Sequence, residues 1–513
     1  MIQLTNMIPF NNFKSIKRCY STAKSKKWKS VVGLEVHAQI FTESKLFSGS
    51  STKFTSPVNS NVSLFDCSTP GTLPVLNKSC VEAGVLTALA LNCNINPVST
   101  FDRKHYFYAD MPSGYQITQQ RSPLALNGKL AFQVYTPGYH KTPYKTEVKI
   151  KQVQLEQDSG KSLHDDDRSL VDLNRAGIPL MELVFEPDLK DGEEAAALIK
   201  ELTSILQRIN TCSCKMEEGA LRVDANVSIH QEGEPYGTRT EIKNIGSVRG
   251  VAGAVKYEIE RQIKVKESGG TITNETRAWD AASKITVAMR DKEELQDYRY
   301  MPEPNLPPLH VAVGPFTRGC VNVEELKNKI PELPEETRVR LKNEMGLSSE
   351  QAIVLVNDTA LLNIFETALE KRKISPKLLA NFLINEFNTM LNKLDKEAKD
   401  IDTSPKFYGD IVELLENNKI NRNTAKYLLG KIIENTKETP LEILQKEDLL
   451  QISNEEELKE ICAKVIEENE KLVKQYKAGK TKVFKAIMGC VSAKTKGKAD
   501  MGKCEKLLKD MLN

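Results

Sequence analysis

Acidic and imidazole side chains interrupt several short, otherwise apolar segments in the N-terminal half of this 513-residue chain. The segments are 33-GLEVHAQI-40, 155-LEQDSGK-161, 221-LRVDANVS-228 and 238-TRTEIKN-244. Glu35 and His37 lie two residues apart, as do Glu156 and Asp158, and on a β-strand such pairs point to the same face. Carboxylates that converge with one imidazole form a hard, oxygen-rich site, which suits Mg²⁺ or Mn²⁺ better than a tetrahedral zinc site. The spacing therefore predicts a divalent-cation site.

Four cations accompany these acids: Lys161, Arg222, Arg239 and Lys243. A site that only binds metal would not need them, whereas a site that also neutralises phosphate oxygens would. Metal ligands and cations together therefore indicate nucleotide binding. The chain has no P-loop pattern and no Gly-rich dinucleotide turn, so the site must be of another kind. Taken singly, each acid is compatible with a solvated charge at a strand end, and only the four segments together indicate a site.

The segments that carry these residues alternate apolar and polar residues as half-buried strands do, most clearly at 147-EVKIKQVQL-155 and 221-LRVDANVSI-229. Ser247 is a suitable N-cap for a following helix. The apolar stripe of that helix comprises Val248, Val251, Ala252, Val255, Ile259 and Ile263. The first 300 residues are therefore predicted to form a large α+β domain with an antiparallel or mixed sheet.

Seven of the 22 prolines fall in residues 302 to 334. Such a cluster removes backbone donors and forces extended conformations, so it marks a domain boundary. Beyond it the pattern is almost wholly helical, and Ser375-Pro376 opens a helix that includes 378-LLANFLINEFNTML-391. We therefore expect an α+β domain over residues 30–315, a helical domain over 325–400 and a helical tail over 401–513.

The net charge of +3 conceals two basic ends. From residue 471 to the C-terminus there are twelve lysines against three acids, and Tyr476 and Phe484 lie among them. A charge run of this kind is often only a solvated helical face, but it also suits binding to a nucleic-acid backbone. The lysines that we expect to contact RNA are Lys474, Lys477, Lys480, Lys482, Lys485, Lys494, Lys496 and Lys498.

Residues 1 to 34 carry seven Lys or Arg and no acid, and they lack the apolar core of a secretory signal. Residues 1–20 are therefore predicted to be a mitochondrial transit peptide with a mature start near Ser21; the alternative is a solvated basic tail. The ten cysteines show no CxxC spacing, which favours a reducing compartment over a disulfide framework. No apolar run approaches the roughly 20 residues that span a bilayer, so no membrane partner is expected.

Seven longer motifs occur in this order: GLEVHAQI, FDRKHYFYADMPSGYQIT, LEQDSGKSLHD, SLVDLNRAGIPLMELVFEPD, KMEEGALRVDANVS, GTRTEIKN and DYRYMPEPNLPPL. Together they resemble the B subunits of the tRNA-dependent amidotransferases that act on glutamate mischarged on tRNA(Gln) or aspartate mischarged on tRNA(Asn), here in a mitochondrial form. The resemblance runs from about residue 30 to the C-terminus. Motifs of this length are far more specific than a short pattern.

The resemblance implies a cradle domain distantly like glutamine synthetase, then a helical domain and a basic tail domain that holds tRNA. The cradle would use ATP and Mg²⁺ to phosphorylate the γ-carboxyl of tRNA-bound glutamate, and ammonia would displace the phosphate. In the family an amidase-type A subunit supplies the ammonia through a tunnel, and a small C subunit, or a substitute, clamps the two together. The product would be Gln-tRNA(Gln) for translation in the mitochondrial matrix.

Carried over residue by residue, the catalytic and metal-binding residues of the family fall on Glu35, His37, Glu156 and Glu241, with Asp224 as a further metal ligand. Where many bacterial members have two consecutive glutamates, this chain has Glu156 followed by glutamine. If the glutamine marks the true ligand position, Glu156 would not bind the metal. Some members also have a zinc knuckle, whose cysteines match Ser48, Ser50, Ser63 and Asp66 here, so no zinc is expected.

Two other functions are compatible with parts of the sequence. A free-standing carboxylate-amine ligase would explain the acidic strands but not the lysine-rich tail. A non-catalytic tRNA-binding scaffold would explain the tail but not the acidic strands. The chain has no amidase signature and no persuasive Cys-His glutaminase pattern, so it is not expected to make its own ammonia.

Overall fold

The computed structural model describes residues 27–165, 167–289, 298–314, 319–370, 372–434, 438–452, 454–495 and 497–512. The predicted transit peptide and Lys496 lie outside these residues. Within them a strand-rich part precedes a helical part, which confirms the fold class predicted from the sequence.

The strands of the described chain all lie before residue 323. They are β1 (Trp28–Gln39), β2 (Asn94–Ile95), β3 (Val98–Ser99), β4 (Asp102–His105), β5 (Tyr115–Thr118), β6 (Ala125–Val134), β7 (Tyr144–Gln157), β8 (Lys161–Asp165), β9 (Arg168–Asp172), β10 (Pro179–Phe185), β11 (Leu221–Gln231), β12 (Thr240–Lys243), β13 (Thr276–Asp280), β14 (Ile285–Ala288), β15 (Tyr300–Pro302), β16 (Leu309–Ala312) and β17 (Val321–Asn322).

Three long helices accompany the strands, and the other helices of the described chain follow them. They are α1 (Lys78–Ala90), α2 (Gly192–Arg208), α3 (Val248–Glu267), α4 (Val323–Lys327), α5 (Pro334–Asn343), α6 (Ser349–Val356), α7 (Thr359–Leu369), α8 (Pro376–Asn381), α9 (Asn388–Leu394), α10 (Lys406–Glu416), α11 (Arg422–Ile433), α12 (Pro440–Lys446), α13 (Glu455–Glu468), α14 (Glu470–Lys477), α15 (Phe484–Lys494) and α16 (Met501–Leu512).

One large mixed sheet dominates the strand-rich part, with the order β14-β13-β12-β11-β1-β10-β7-β6-β2. Its described pairings are antiparallel except for β12 and β13, which run parallel. Alternate residues of β1, from Val32 to Ala38, are fully buried and pack in one hydrophobic cluster with residues of α1, α2 and α3. The helices therefore cover one face of the sheet, and the intervening residues of each strand project from the opposite face.

Local signals in the sequence account for several helix ends. The Ser247 hydroxyl accepts a hydrogen bond from the Gly250 N–H (3.0 Å), as an N-cap does, and α3 follows it. Ser375 caps α8 in the same way, with Pro376 at the first helical position. The helix predicted over 378–391 is confirmed, because the backbone stays helical from α8 through a π-helical segment, Phe382–Phe387, into α9.

The described residues form three hydrophobic clusters. The first extends from Val32 to Leu326, beyond the expected domain end at residue 315. The second runs from Leu341 to Leu444 and continues across residue 400, where the sequence analysis expected a division. The third contains only residues from Leu458 onwards. Packing therefore separates the helical half near residue 450, so the small tail domain consists of α13 to α16.

Among the described residues, no helix by itself combines the length and the apolar character that crossing a bilayer requires. The adjacent helices α6 and α7 pass that test only as a pair, and they meet at an angle of 112°.

Candidate active site

Polar and charged side chains line the face of the large sheet that the helices leave uncovered. Residues directly opposite each other on neighbouring antiparallel strands share a face. Glu35 is opposite Asp224 on β11. His37 is opposite Arg222 on β11 and opposite Glu182 on β10. The register thus extends the predicted Glu35–His37 pair into a group of charged residues across three strands.

The His37–Glu156–Glu182 group lies at the centre of this face. Its nitrogen and oxygen donor atoms are all within 4.8 Å of one another, and His37 Nε2 is 3.8 Å from Glu156 Oε1. The Gln116 amide donates a hydrogen bond to the same Oε1 (2.8 Å), and the Gln154 amide donates one to Glu182 Oε2 (2.5 Å). The buried Oε2 of Glu156 has no hydrogen-bond partner in the described residues. Because such an oxygen is costly to leave unpaired, the group fits a bound cation.

The pKa values of this group also fit metal binding. Burial, followed by the positive charges of Arg222, Lys104 and Lys243, lowers the pKa of His37 to about 3, so its ring is neutral and can donate a lone pair. Burial, the neighbouring Glu156 charge and a side-chain hydrogen bond to Glu156 raise the pKa of Glu182 to about 8. A divalent cation would favour the ionised form of such a carboxyl group.

The other predicted metal ligands form a second group on the same face. Lys243 Nζ lies 3.9 Å from Asp224 Oδ2 and 3.7 Å from Glu241 Oε2. The Asn226 amide donates a hydrogen bond to Glu35 Oε1 (3.1 Å). Burial raises the pKa of Asp224 to about 6; Lys243 opposes this shift, and the charges of Glu241 and Glu35 add to it. The structure therefore divides the five predicted ligands into two neighbouring groups.

A cavity of about 510 Å³ opens over this face. Its walls include His37, Glu156, Asp158, Arg222, Asp224 and Lys243. Of the other predicted ligands, Glu35 and Glu241 lie on the same face of the sheet but outside the cavity lining.

The four predicted phosphate-binding cations have different positions. Arg222 and Lys243 line the cavity, and Arg222 Nη2 donates a hydrogen bond to Asp158 Oδ2 (2.9 Å). The Nε of Arg222 is buried without a partner among the described residues, which leaves a donor for a ligand oxygen. Lys161, in contrast, begins β8 in a separate two-stranded sheet, and Arg239 lies exposed just before β12. Neither of these two residues lines the cavity.

The sequence analysis assigned no function to two charged residues near the cavity, Glu182 and Lys104. Glu182 interrupts the apolar strand PLMELVF, which is the same signal that identified Glu35. Lys104 lines the cavity, and its ammonium group lies 4.5 Å from the centre of the Tyr298 ring. Burial lowers the pKa of Lys104, but the charges of Glu156 and neighbouring groups raise it overall, so it is a cation. It interrupts the short strand DRKH, a weak signal in isolation.

The alternation of β7 separates Glu156 from its neighbour Gln157. Glu156 lies beside His37, whereas the Gln157 amide points to the sulfur of Met111 at 3.7 Å. In this chain Glu156 therefore occupies the position next to the imidazole. The single carboxylate of this pair is on the face that carries the site.

A buried ion pair occupies the region that matches the zinc knuckle. Lys45 Nζ lies 3.1 Å from Asp66 Oδ2, and both side chains are almost completely buried. The Ser48 hydroxyl and the Ser63 N–H also donate hydrogen bonds to Asp66. A Lys–Asp pair with serine donors thus connects the segment around Lys45 and Ser48 with the segment around Ser63 and Asp66.

The tail domain presents most of its predicted RNA-binding lysines to solvent. Lys477, Lys480, Lys482 and Lys485 are exposed around the turn between α14 and α15, without an ion pair in the part of the chain that the structure describes. The other described members of the set have acidic partners: Lys474 pairs with Glu470, Lys494 with Glu468 and Lys498 with Asp448. Among the predicted lysines that the structure describes, those without an ion pair are therefore concentrated in this turn.

The aromatic side chains of the tail pack against neighbouring apolar residues. The rings of Tyr476 and Phe484 lie 5.5 Å apart and pack against the third hydrophobic cluster. Both rings therefore contribute to the packing of the tail helices.

Comparison with known proteins gives a consistent result over nearly the whole chain. The family profile described as the GatB/GatE catalytic domain matches residues 30–314, and the profile described as the GatB domain matches residues 363–512. The B subunit of the mitochondrial glutamyl-tRNA(Gln) amidotransferase of Aedes aegypti is 53% identical, over 99% of this chain and 98% of its own length.

More distant relatives agree. The human protein with the same name is 44% identical over 95% of this chain and 89% of its own length. The B subunit of the aspartyl/glutamyl-tRNA(Asn/Gln) amidotransferase of Rickettsia typhi is 43% identical over 96% of this chain and 99% of its own length. The acidic sheet face, the helical half and these matches together place the chain in the family of tRNA-dependent amidotransferase B subunits.

Proposed function

We propose that this chain is the component of a mitochondrial matrix amidotransferase that activates glutamate mischarged on tRNA(Gln) and converts it to glutamine. The observation that carries the proposal is the buried, unpartnered Oε2 of Glu156 beside the neutral imidazole of His37, within reach of Glu182. Family membership supports the substrate, since the similar proteins are named for it. The substrate would be Glu-tRNA(Gln), and ATP and ammonia would be the other two reactants.

His37, Glu156 and Glu182 would hold Mg²⁺, and the second group of Glu35, Asp224 and Glu241 would complete a hard, oxygen-rich face. Mg²⁺ would supply positive charge against phosphate oxygens. The Gln116 amide fixes the Glu156 carboxylate, and the Gln154 amide fixes that of Glu182, so both are oriented before any ligand binds.

The cations of the cavity would bind the phosphates of ATP and the transferred phosphoryl group. Arg222 is held by Asp158 through one nitrogen and leaves its Nε free of partners in the described residues. Lys243 and Lys104 add two further positive charges around the same cavity. Preoriented cations of this kind stabilise the charge that develops on phosphoryl oxygens in transfer.

Activation is needed because a carboxylate is a poor electrophile until one of its oxygens becomes part of a leaving group. The γ-carboxylate attacks the terminal phosphorus of ATP, and ADP leaves. Ammonia then attacks the acyl carbon, phosphate leaves, and the amide forms. An amidase-type A subunit would supply the ammonia, and a small C subunit or a substitute would hold the two proteins together.

A transamidation assay on the co-purified complex, with Glu-tRNA(Gln) and Asp-tRNA(Asn), tests the proposal. ATP-dependent formation of Gln-tRNA(Gln) is expected, with loss of activity in Glu156→Gln. Amidation of a free acid without tRNA would indicate a carboxylate-amine ligase instead. Binding of tRNA with no turnover in a complete complex would indicate a scaffold.

A further inference from the structure

Residues 54–75, between β1 and α1, present apolar side chains to solvent and no exposed charge; we call them the apolar segment. Five large apolar side chains of this segment are 62–73% exposed: Phe54, Val58, Leu64, Leu73 and Val75. Charged residues make up 27% of the whole chain, but the apolar segment has only Asp66, which is buried against Lys45. Exposed apolar surface that is depleted of charge is typical of the centre of a protein interface.

The apolar segment is held in a defined conformation. The Thr69 N–H donates a hydrogen bond to the Leu64 carbonyl (2.9 Å), and the Ser63 N–H donates one to Asp66 Oδ2 (2.9 Å). The ion pair of Asp66 with Lys45 then fixes these turns to the sheet domain. Because the segment is ordered before a partner arrives, binding removes little conformational entropy.

The hairpin of β8 and β9 extends the same surface. Leu163 and Leu170 are directly opposite each other in this hairpin, and they are 49% and 46% exposed. The Asn59 N–H, next to Val58, donates a hydrogen bond to Asp172 Oδ1 at the end of β9 (3.1 Å). The apolar segment and the hairpin therefore lie side by side.

A second cavity, of about 310 Å³, lies between the apolar segment and the catalytic cavity. Its lining includes Phe65 and Thr72, which are the chain neighbours of the exposed Leu64 and Leu73. Met111 lines both this cavity and the catalytic cavity. A partner that covers the apolar segment therefore also covers a cavity that shares a wall with the catalytic cavity.

Adjacent residues of β5 and β7 form another part of this wall. Tyr115 and Gln157 line the second cavity, whereas Gln116 and Glu156 line the catalytic cavity. The Gln116 amide donates one hydrogen bond to Glu156 Oε1 and one to the Gln157 carbonyl, both at 2.8 Å. The second cavity thus lies directly behind the catalytic carboxylate of Glu156.

We propose that the apolar segment and the β8–β9 hairpin are the docking surface for the subunit that supplies ammonia. This inference rests on the proposed function, which needs a nitrogen source that this chain is not expected to provide. A partner seated on this surface releases ammonia beside the second cavity, next to the wall of the catalytic cavity. Release there limits escape into bulk water, where ammonia becomes ammonium and is no longer a nucleophile.

Two other occupants fit this surface less well. RNA binding depends on Lys and Arg side chains that neutralise phosphates, and the apolar segment contains neither residue type. A second copy of this chain would cover the second cavity with a protein that has no ammonia to deliver. The apolar segment therefore fits a different protein subunit best.

The test uses the full chain co-expressed with an amidase-type subunit and the small third subunit. Val58→Glu and Leu73→Glu each place a charge in the proposed interface, and each should weaken binding of the amidase-type subunit by about 30-fold or more. Glutamine-dependent transamidation of Glu-tRNA(Gln) should fall with it. Transamidation with added ammonium chloride should persist, because the catalytic cavity is unchanged. Val58→Leu, which keeps the apolar character, should behave like the parent.

Tyr236→Glu is the matched control. Tyr236 is 68% exposed, and it lies beyond the end of β11 that is remote from Arg222 and Asp224. This variant should keep the parent affinity and both activities. Unchanged affinity in Val58→Glu and Leu73→Glu would overturn the inference.

Three further results would also decide against this docking surface. Loss of ammonium-dependent activity in an intact complex would assign the segment to the catalytic site instead. Weaker tRNA binding with normal subunit affinity would indicate an RNA contact, and conversion of a dimer of this chain to a monomer would indicate a second copy. A parent complex that is inactive with both glutamine and ammonium would overturn the proposed function, and with it the identity of the partner.

Discussion

The Lys45–Asp66 pair should be essential to the stability of the sheet domain. The two side chains are 0% and 1% exposed, and Lys45 Nζ has one other acceptor, the Leu173 carbonyl at 3.4 Å. Asp66→Asn removes the negative charge but keeps an acceptor for the Ser63 N–H. Breaking a buried ion pair on one side typically costs about 3–5 kcal/mol, because the remaining charge is buried without compensation. We expect Asp66→Asn to lower the free energy of unfolding of the sheet domain by about 3–5 kcal/mol.

The loss can be measured in this domain alone. The chain has two tryptophans, Trp28 in β1 and Trp279 in β13, and both belong to the large sheet. Their fluorescence in a urea titration therefore follows the sheet domain without the two helical clusters. With a slope of about 3 kcal/mol per molar urea, the midpoint should fall by about 1 to 2 M.

Two further variants separate the buried charge from other effects. Lys45→Met combined with Asp66→Asn removes both charges, so most of the lost stability should return. Asp165→Asn breaks an exposed ion pair with Arg168 that, at 3.0 Å, is about as short as the buried pair, and it should cost at most about 1 kcal/mol. Equal effects of Asp66→Asn and Asp165→Asn would refute the reasoning.

The pH dependence of Asp66→Asn gives an independent check. Burial lowers the pKa of Lys45, and Asp66 opposes that shift. Without Asp66, the pKa of Lys45 in the folded variant falls further below its pKa in the unfolded chain. At pH values between these two pKa values, the unfolded state therefore binds more protons than the folded state. Stability of the variant should therefore rise with pH across that window, and its deficit should be largest below the folded pKa of Lys45.

Three other predictions concern the proposed function. Glu35→Gln and His37→Ala should each abolish ATP-dependent phosphorylation of glutamyl-tRNA without loss of folding, as measured by phosphate transfer and circular dichroism; normal phosphorylation would contradict the site. Changing the four unpaired tail lysines to alanine should weaken tRNA binding and reduce its log–log salt slope by roughly 0.7–0.9 per lost contact, whereas Lys474→Ala, already paired with Glu470, should change little. Protein isolated from mitochondria should begin near Ser21, and an intact Met1 would exclude transit cleavage.

The local sequence pattern was sufficient to predict those strands and helix starts that depend on interactions between residues close in the chain. Strand alternation identified β7 and β11, and the caps at Ser247 and Ser375 marked two helix starts. The carboxylates of Glu35, Glu156, Asp224 and Glu241 were visible because a charge in an apolar strand is unusual. The π-helical segment within the helix after Ser375 was not visible, since a π-helical segment differs from an α-helix by one hydrogen-bond step that propensity does not encode.

The order of the strands in the sheet could not be predicted from the sequence. Glu182 is 145 residues from His37 along the chain by number, and only the pairing of β1 with β10 places them opposite each other. The same pairing rules place Lys161 in a separate hairpin, although it is only five residues from Glu156 by number. Nearness in sequence therefore grouped Lys161 with residues of a cavity that it does not line, and it gave no reason to consider Glu182.

The sequence by itself determined the residue types of the site, the alternation that puts Glu35 and His37 on one face, and the change from strands to helices. The tertiary structure decided which carboxylates converge, which cations line the cavity, and where the helical half divides. The physical reason is that a strand's own pattern fixes its two faces. Its partners are chosen by long-range hydrogen bonding and by burial of the opposite face, which no local window of sequence contains.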